Sequence, residues 1–309
     1  MKRLGDTSFK QLGKEFREQL TNDNVFNGAA ALAYYWTLAI FPALIFLLSL
    51  IPYLPIDDLD SAIMDLLHQA LPGEAAGALT ENVQRLANER QGGLLSLGLL
   101  GTLWAASSGM YAIMQQLNIT YGVKEGRSFI KARGVALLLT LLFGVLILGA
   151  FTLVVLGGVI QNWLASTLGQ SEALLFAFSA ARWVIIVMAL LLGFALMYYL
   201  GPNTKQQFKW ITPGSVVGVL MLTLASLVFR FYVANFGQYD ATYGSLGAMI
   251  ILMLWLYIAG LVLLAGSEVN VVYEQHLPEG KVRGEKHPGE RRADTGLPSS
   301  TDQPALSGR

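Results

Sequence analysis

The chain has 309 residues, 54% of them hydrophobic and only 14% charged, and its 21 basic and 21 acidic side chains cancel to a net charge of zero. Soluble domains carry about 25% charged residues, so an ordinary soluble enzyme is a poor fit, and a neutral balance gives no support for a nucleic-acid partner. The absence of cysteine rules out disulfides and thiolate metal sites.

The charges are unevenly spread. Six windows hold no Asp, Glu, Lys or Arg: Asn24–Ile56, Gln91–Val123, Gly134–Ser171, Trp183–Thr204, Trp210–Phe229 and Ala241–Ser267. Each has about the 20 residues a helix needs to cross ~30 Å of hydrocarbon. The expected fold is all-α: a polytopic integral membrane protein with six transmembrane helices and both termini in the cytoplasm. Its parts are a cytoplasmic lead-in at 1–23, a membrane domain at 24–273 and a disordered cytoplasmic tail at 274–309. The expected spans are about 28–53, 94–119, 135–161, 183–200, 213–231 and 245–267, with an outer loop at 57–90. Lys and Arg set the orientation. Five precede residue 28, four follow the second span, two follow the fourth and six lie in the tail, against Arg85, Arg90, Arg182 and Arg230 on the other side. The lead-in is too polar and the first apolar run too long for a signal peptide.

Taken in order, Phe9, Leu12, Phe16 and Leu20 share one helical face, with Lys10, Lys14 and Arg17 elsewhere. That suits either a short helix on the inner leaflet or a solvated amphipathic lead-in. Span one opens with Gly28, Ala29, Ala30, Ala31 and Ala33, small enough for close helix contact, and Pro42 should kink it. In the outer loop, Asp57, Asp58, Asp60 and Asp65 surround Leu59, Ile63, Leu66 and Leu67, and Pro72-Gly73 breaks the pattern before Leu79, Val83 and Leu86 resume it. Two short surface helices are the economical reading.

Span two has a small-residue stripe (Gly101, Ala105, Ser108, Gly109, Ala112) for packing. It also has a polar one, running through Trp104, Ser107, Ser108, Tyr111, Gln115 and Asn118 at helical spacing. The polar stripe either lines a water-filled path or supplies interhelical hydrogen bonds. Span three is bland, and Asn162–Arg182 could be a loop or an interfacial helix. Span four ends in Gly201-Pro202-Asn203. Span five opens with Thr212 as N-cap and Pro213 at the first helical position. Between spans five and six, NFGQYDATYGSLG (Asn235–Gly247) is polar and Gly-rich, which a membrane edge tolerates only where protein or water covers it. Asp240 there is either a helix cap or a proton- or ion-binding group. Glu268 closes span six and reads as an ordinary salt-bridge partner.

Catalytic patterns are missing. The three histidines (His68, His276, His287) fall in the outer loop and the tail, no metal-ligand spacing occurs, and neither a G-x-S-x-G elbow nor a phosphate loop is present. No cofactor and no metal are expected.

Five strings resemble the YihY/BrkB family of bacterial inner-membrane proteins: GAAALAYYWTLAIFPAL (Gly28–Leu44), LWAASSGMYAIMQQLNITYGVKEGRSFIKAR (Leu103–Arg133), GPNTKQQFKWITPG (Gly201–Gly214), NFGQYDATYGSLGAMIILMLWLY (Asn235–Tyr257) and AGSEVN (Ala265–Asn270). The likeness covers Val25 to Tyr273, and Asp240 stands where the family also accepts Asn. The resemblance implies a six-helix protein of the bacterial inner membrane, labels of envelope integrity and virulence, suggestions of lipid or lipopolysaccharide transport, and an older ribonuclease BN name. It implies no catalytic residues, and a hydrolytic nuclease would need metal ligands or a water-facing acid–base pair that the residues do not supply.

The resulting expectation is a multi-pass, non-enzymatic transporter or flippase-like protein for an envelope lipid or amphiphile. Its partners are the bilayer and an anionic amphiphile, with oligomers allowed and no nucleic acid. The expected path comprises Ser107, Tyr111, Gln115, Asn118, Arg230, Asn235, Tyr239, Asp240 and Tyr243. A non-transporting envelope scaffold or assembly factor is the alternative.

Overall fold

The computed structural model describes residues 9–50, 92–168, 172–205, 208–236 and 245–276, and every regular element among them is an α-helix. These are α1 (Phe9–Asn22), α2 (Val25–Leu50), α3 (Gly92–Thr120), α4 (Phe129–Leu168), α5 (Glu172–Leu200), α6 (Pro213–Phe236) and α7 (Ser245–Gln275). The expected outer loop, the tail beyond 276, and Tyr239, Asp240 and Tyr243 lie outside the described residues.

Local chemistry fixes the helix ends. Asn24, at φ 51°, makes the left-handed elbow between α1 and α2, a conformation Asn tolerates. α3 stops at Gly122, whose φ of 64° is left-handed. The Gly122 N–H bonds the Ile119 carbonyl and the Val123 N–H bonds that of Asn118, both at 2.9 Å. This pair of bonds closes a helix C-terminus, and buried Val123 then packs with Tyr121 and Val271. α6 starts at Pro213 behind a reciprocal cap, as its sequence suggests. The Ser215 N–H donates to Thr212 Oγ1 at 3.1 Å, and the Thr212 N–H donates to Ser215 Oγ at 2.9 Å.

Several boundaries differ from expectation. The ambiguous stretch 162–182 is helical on both sides of residues 169–171, extending α4 to Leu168 and opening α5 at Glu172. Arg182 is therefore a half-buried residue within an apolar helix, its guanidinium 5.8 Å from the Trp183 ring. Stacking and the long apolar stem let one arginine sit there. α7 runs to Gln275 because its buried stripe continues through Val271 and Val272. There α1 docks on it, with Gln19 Nε2 donating to Gln275 Oε1 at 3.3 Å and His276 Nε2 lying 3.3 Å from Glu15 Oε2. The lead-in helix therefore has a protein partner.

Five helices carry segments long and apolar enough to cross a membrane: Ser96–Thr120, Phe129–Ala150, Phe176–Leu200, Pro213–Val233 and Met249–Gln275. α2, the remaining expected span, is 26 residues long, carries no charged residue and has Pro42 inside.

α2 to α7 form a ring in which each helix packs on the next in sequence and α7 closes back onto α2, with α3 also touching α7. The small residues expected to permit contact do so. Ala29 is fully buried against Gly260, where an added Cβ would lie 3.3 Å from the Ala29 carbonyl oxygen. Gly109 faces the Trp36 ring, and a Cβ there would lie 2.9 Å from Trp36 Cδ1. The ring interior is filled by Leu32, Met114, Leu117, Leu139, Met197, Tyr198 and Leu264, all under 2% exposed or close to it. Outward faces of α4 and α6 display Leu141, Val145, Leu148, Leu220, Leu224 and Leu227, which suits lipid contact.

The tightest seam joins α6 to α7. A Cβ on Gly214 would lie 2.6 Å from Asn270 Cγ and would also strike the Gly266 carbonyl. Gly214→Ala should therefore lower the thermal unfolding midpoint in detergent by roughly 3–10 °C, the effect of about 1–3 kcal/mol of overpacking. An unshifted midpoint would mean that the two helices do not meet at this depth.

Candidate functional site

Three of the strings singled out in the sequence meet at one end of the ring, where α3, α5 and α7 finish and α4 and α6 begin. The loop 121–128 folds back beside α3 and places Glu125 and Arg127 against the end of α5. Arg127 forks onto Glu125, Nε to Oε1 at 2.8 Å and Nη2 to Oε2 at 2.9 Å, and the Arg127 backbone N–H adds a third bond to Oε1 at 2.9 Å. The same guanidinium donates to the carbonyls of Leu200 at 3.2 Å and Gly201 at 2.8 Å. It thereby satisfies acceptors that a helix C-terminus leaves open. Asn118 joins the network from α3, donating to Glu125 Oε2 at 3.0 Å and accepting the Asn203 N–H at 2.6 Å. Asn203 Nδ2 then reaches the Lys124 carbonyl at 3.1 Å.

Burial alone would raise the Glu125 carboxyl. The Arg127 hydrogen bonds, the Asn118 amide and the Arg127 charge outweigh burial and hold it below its ordinary value. With four of the five guanidinium N–H donors of Arg127 engaged, this cluster is a clamp on the helix ends.

A second group lies inside the ring beside it. Glu268 on α7 has no exposed surface and sits between buried Ser267 and Asn270. Ser267 Oγ donates to Leu264 O at 2.7 Å and lies 3.2 Å from Thr120 Oγ1 on α3. Asn270 Oδ1 accepts the Gly214 N–H at 2.7 Å, and Tyr198 OH donates to the Leu263 carbonyl at 2.8 Å. Burial pushes the Tyr121 phenol well above its usual range, and the charges of Glu274 and Glu268 push it further, so it remains a protonated donor. Tyr121, Tyr198, Tyr199, Lys209, Thr212, Asn270 and Glu274 line a cleft of about 20 Å³. That is room for about one water, not for a lipid.

The expected path residues are dispersed. Ser107 is buried and donates to its own helix at Trp104 O, 3.0 Å away; Tyr111 is half-buried; Gln115 is exposed; Asn118 is buried in the clamp. These four fall within about 80° of one another around a 3.6-residue helix, and the neighbouring helices cover some of them and leave others open. Arg230 and Asn235 lie on exposed surface of α6, where Asn235 Nδ2 bonds its own helix at Phe231 O, 2.7 Å away. α6 packs on α5 and α7, and α3 packs chiefly on α2 and α4, so these two groups of residues are not brought into one lining. Tyr239, Asp240 and Tyr243 lie outside the described residues.

Sequence reasoning passed over Glu125, Arg127, Tyr121, Asn203 and Asn270, and read Glu268 as an ordinary salt-bridge partner. The available signal was that their three strings all fall at span ends of the same predicted side. Among the described residues no group of three or more His, Asp or Glu is placed to hold a metal ion.

A family model described as Virulence factor BrkB matches residues 16–291. A Bacillus subtilis (strain 168) protein named YfkH, described as ribonuclease-like, is 37% identical over 259 residues, covering 84% of this chain and 94% of its own. A UPF0761 membrane protein of Vibrio campbellii is 28% identical over 82% of this chain and 79% of its own. Another from Chromobacterium violaceum is 28% identical over 77% of this chain, which spans only 56% of that relative. No solved structure matches.

Proposed function

The chain belongs to the virulence factor BrkB family, and from that premise we propose that it is a multi-pass protein of the bacterial inner membrane that moves an envelope lipid or anionic amphiphile across the bilayer. Both termini face the cytoplasm in this reading, and α2 supplies a sixth span. The observation that carries it is Glu268: a carboxylate with no exposed surface, inside the candidate span Met249–Gln275, among hydroxyl and amide groups. Ionisable groups are costly within a membrane and mark ion or substrate pathways by default. Glu268 is the proton- or ion-responsive element in this reading, and Arg230, Asn235 and the segment holding Tyr239, Asp240 and Tyr243 form the opposite mouth. No catalytic role is assigned to any residue; the ribonuclease-like description belongs to the relative that carries it.

The filled interior of the ring favours a second reading, an envelope scaffold with no transport. Reconstitution separates the two. Vesicles holding the purified chain should bring an inner-leaflet fluorescent phospholipid to the surface at least about ten-fold faster than empty vesicles, with Arg230→Ala slowing the exchange. A rate equal to that of empty vesicles selects the scaffold.

A further inference from the structure

Arg133 belongs neither to the clamp nor to the Glu268 group. It lies one turn into α4, four residues after Phe129, where the candidate span Phe129–Ala150 begins. That places it about 6 Å along the span from its first residue at 1.5 Å per residue. Its guanidinium carbon is 4.9 Å from the Trp104 ring centroid, 5.1 Å from Tyr111 and 5.6 Å from Phe129. Nη1 donates to Ser108 Oγ at 3.1 Å, while the buried Nε has no acceptor. No carboxylate lies within ion-pair distance of it among the described residues.

Three rings and one hydroxyl orient this cation without neutralising it. A guanidinium at membrane depth needs an anion or water to offset its desolvation. The surroundings select which. Trp104 is 64% exposed, Phe129 65% and Ile130 83%, so the site opens away from the ring of helices, towards lipid. The first turn of α4 holds no acidic residue, and its exposed Lys131 adds a second positive charge beside the positive end of the helix dipole. Exposed aromatic rings of this kind settle at the headgroup level.

We propose that Arg133, held by Trp104, Tyr111 and Phe129 and assisted by Lys131, binds the phosphate of an anionic phospholipid on the outer surface of the α3–α4 hairpin. The bound lipid supplies the counter-charge that is missing among the described residues, its phosphate on Arg133 and its acyl chains along Leu137, Leu141 and the apolar face of α4. This holds whether the chain transports lipid or scaffolds.

The full chain in detergent should retain phosphatidylglycerol in native mass spectrometry, and added phosphatidylglycerol should raise its thermal midpoint more than phosphatidylcholine does. Arg133→Gln should cut the retained phosphatidylglycerol roughly five-fold, the share of one basic residue at a membrane surface, and Lys131→Gln should act in the same direction. Equal retention of both lipids by the wild-type chain overturns the proposal, and that comparison stands even if Arg133→Gln fails to fold. Undiminished retention by a folded Arg133→Gln overturns it too. Displacement of phosphatidylglycerol by millimolar inorganic phosphate would make this a free-phosphate site and would likewise overturn the lipid assignment.

Discussion

Arg127→Ala should be among the most damaging single substitutions at the α3–α4 end of the bundle, costing about 3–5 kcal/mol in detergent. The change strands a carboxylate that is only 19% exposed, beside an arginine that was 10% exposed. It also removes the donor serving the Leu200 and Gly201 carbonyls. The double variant Glu125→Gln/Arg127→Ala should recover part of the loss, because no buried charge is then left alone, and the cycle reads the coupling directly. Acid gives an independent check. The folded carboxyl of Glu125 is held below its unfolded value of about 4.3. Its contribution is therefore full above that value and falls as pH drops through the folded one. The wild type should lose stability below about pH 4 more steeply than Glu125→Gln. Parallel acid curves, or an Arg127→Ala midpoint unchanged in detergent, would show that the clamp carries no stability.

Glu268→Gln should leave the fold nearly intact and abolish most transport. Gln has almost the same volume and hydrogen-bonding reach but cannot change its protonation, so it keeps the packing among Ser267, Asn270 and Thr120 while removing any proton or ion response. In reconstituted vesicles the expected result is a loss of at least about ten-fold in lipid translocation, together with loss of its pH dependence. If Glu268→Gln moves lipid at the wild-type rate with the wild-type pH profile, Glu268 is structural and the transport reading loses its support.

How much of this could be read in advance depends on the range of the interactions. The charge-free windows, the Thr212-Pro213 helix start and the small residues Gly28, Ala29 and Gly109 were legible because each reports a local preference or a need to avoid water. Arg182 misled the boundary of α5, since one stacked arginine does not end a helix. The polar residues of α3 could be seen but not sorted. Periodicity places Ser107, Tyr111, Gln115 and Asn118 within one broad sector, and it does not say which of them a neighbour covers.

The sequence by itself determined that this is a helical membrane protein, the capped start of α6, and its family, because apolar length, caps and motif strings are properties of short stretches. Only the tertiary structure decided what the polar residues do. Arg127 became a clamp on α5 through carbonyls 73 and 74 residues away in the chain. Glu268 went from a span-end charge to a wholly buried carboxylate because α3 and α6 converge on α7 there. Arg133 was set apart because three rings from two helices surround it with no carboxylate in ion-pair distance among the described residues. Electrostatic role depends on burial and on partners, and both are set by helices that meet far apart in sequence.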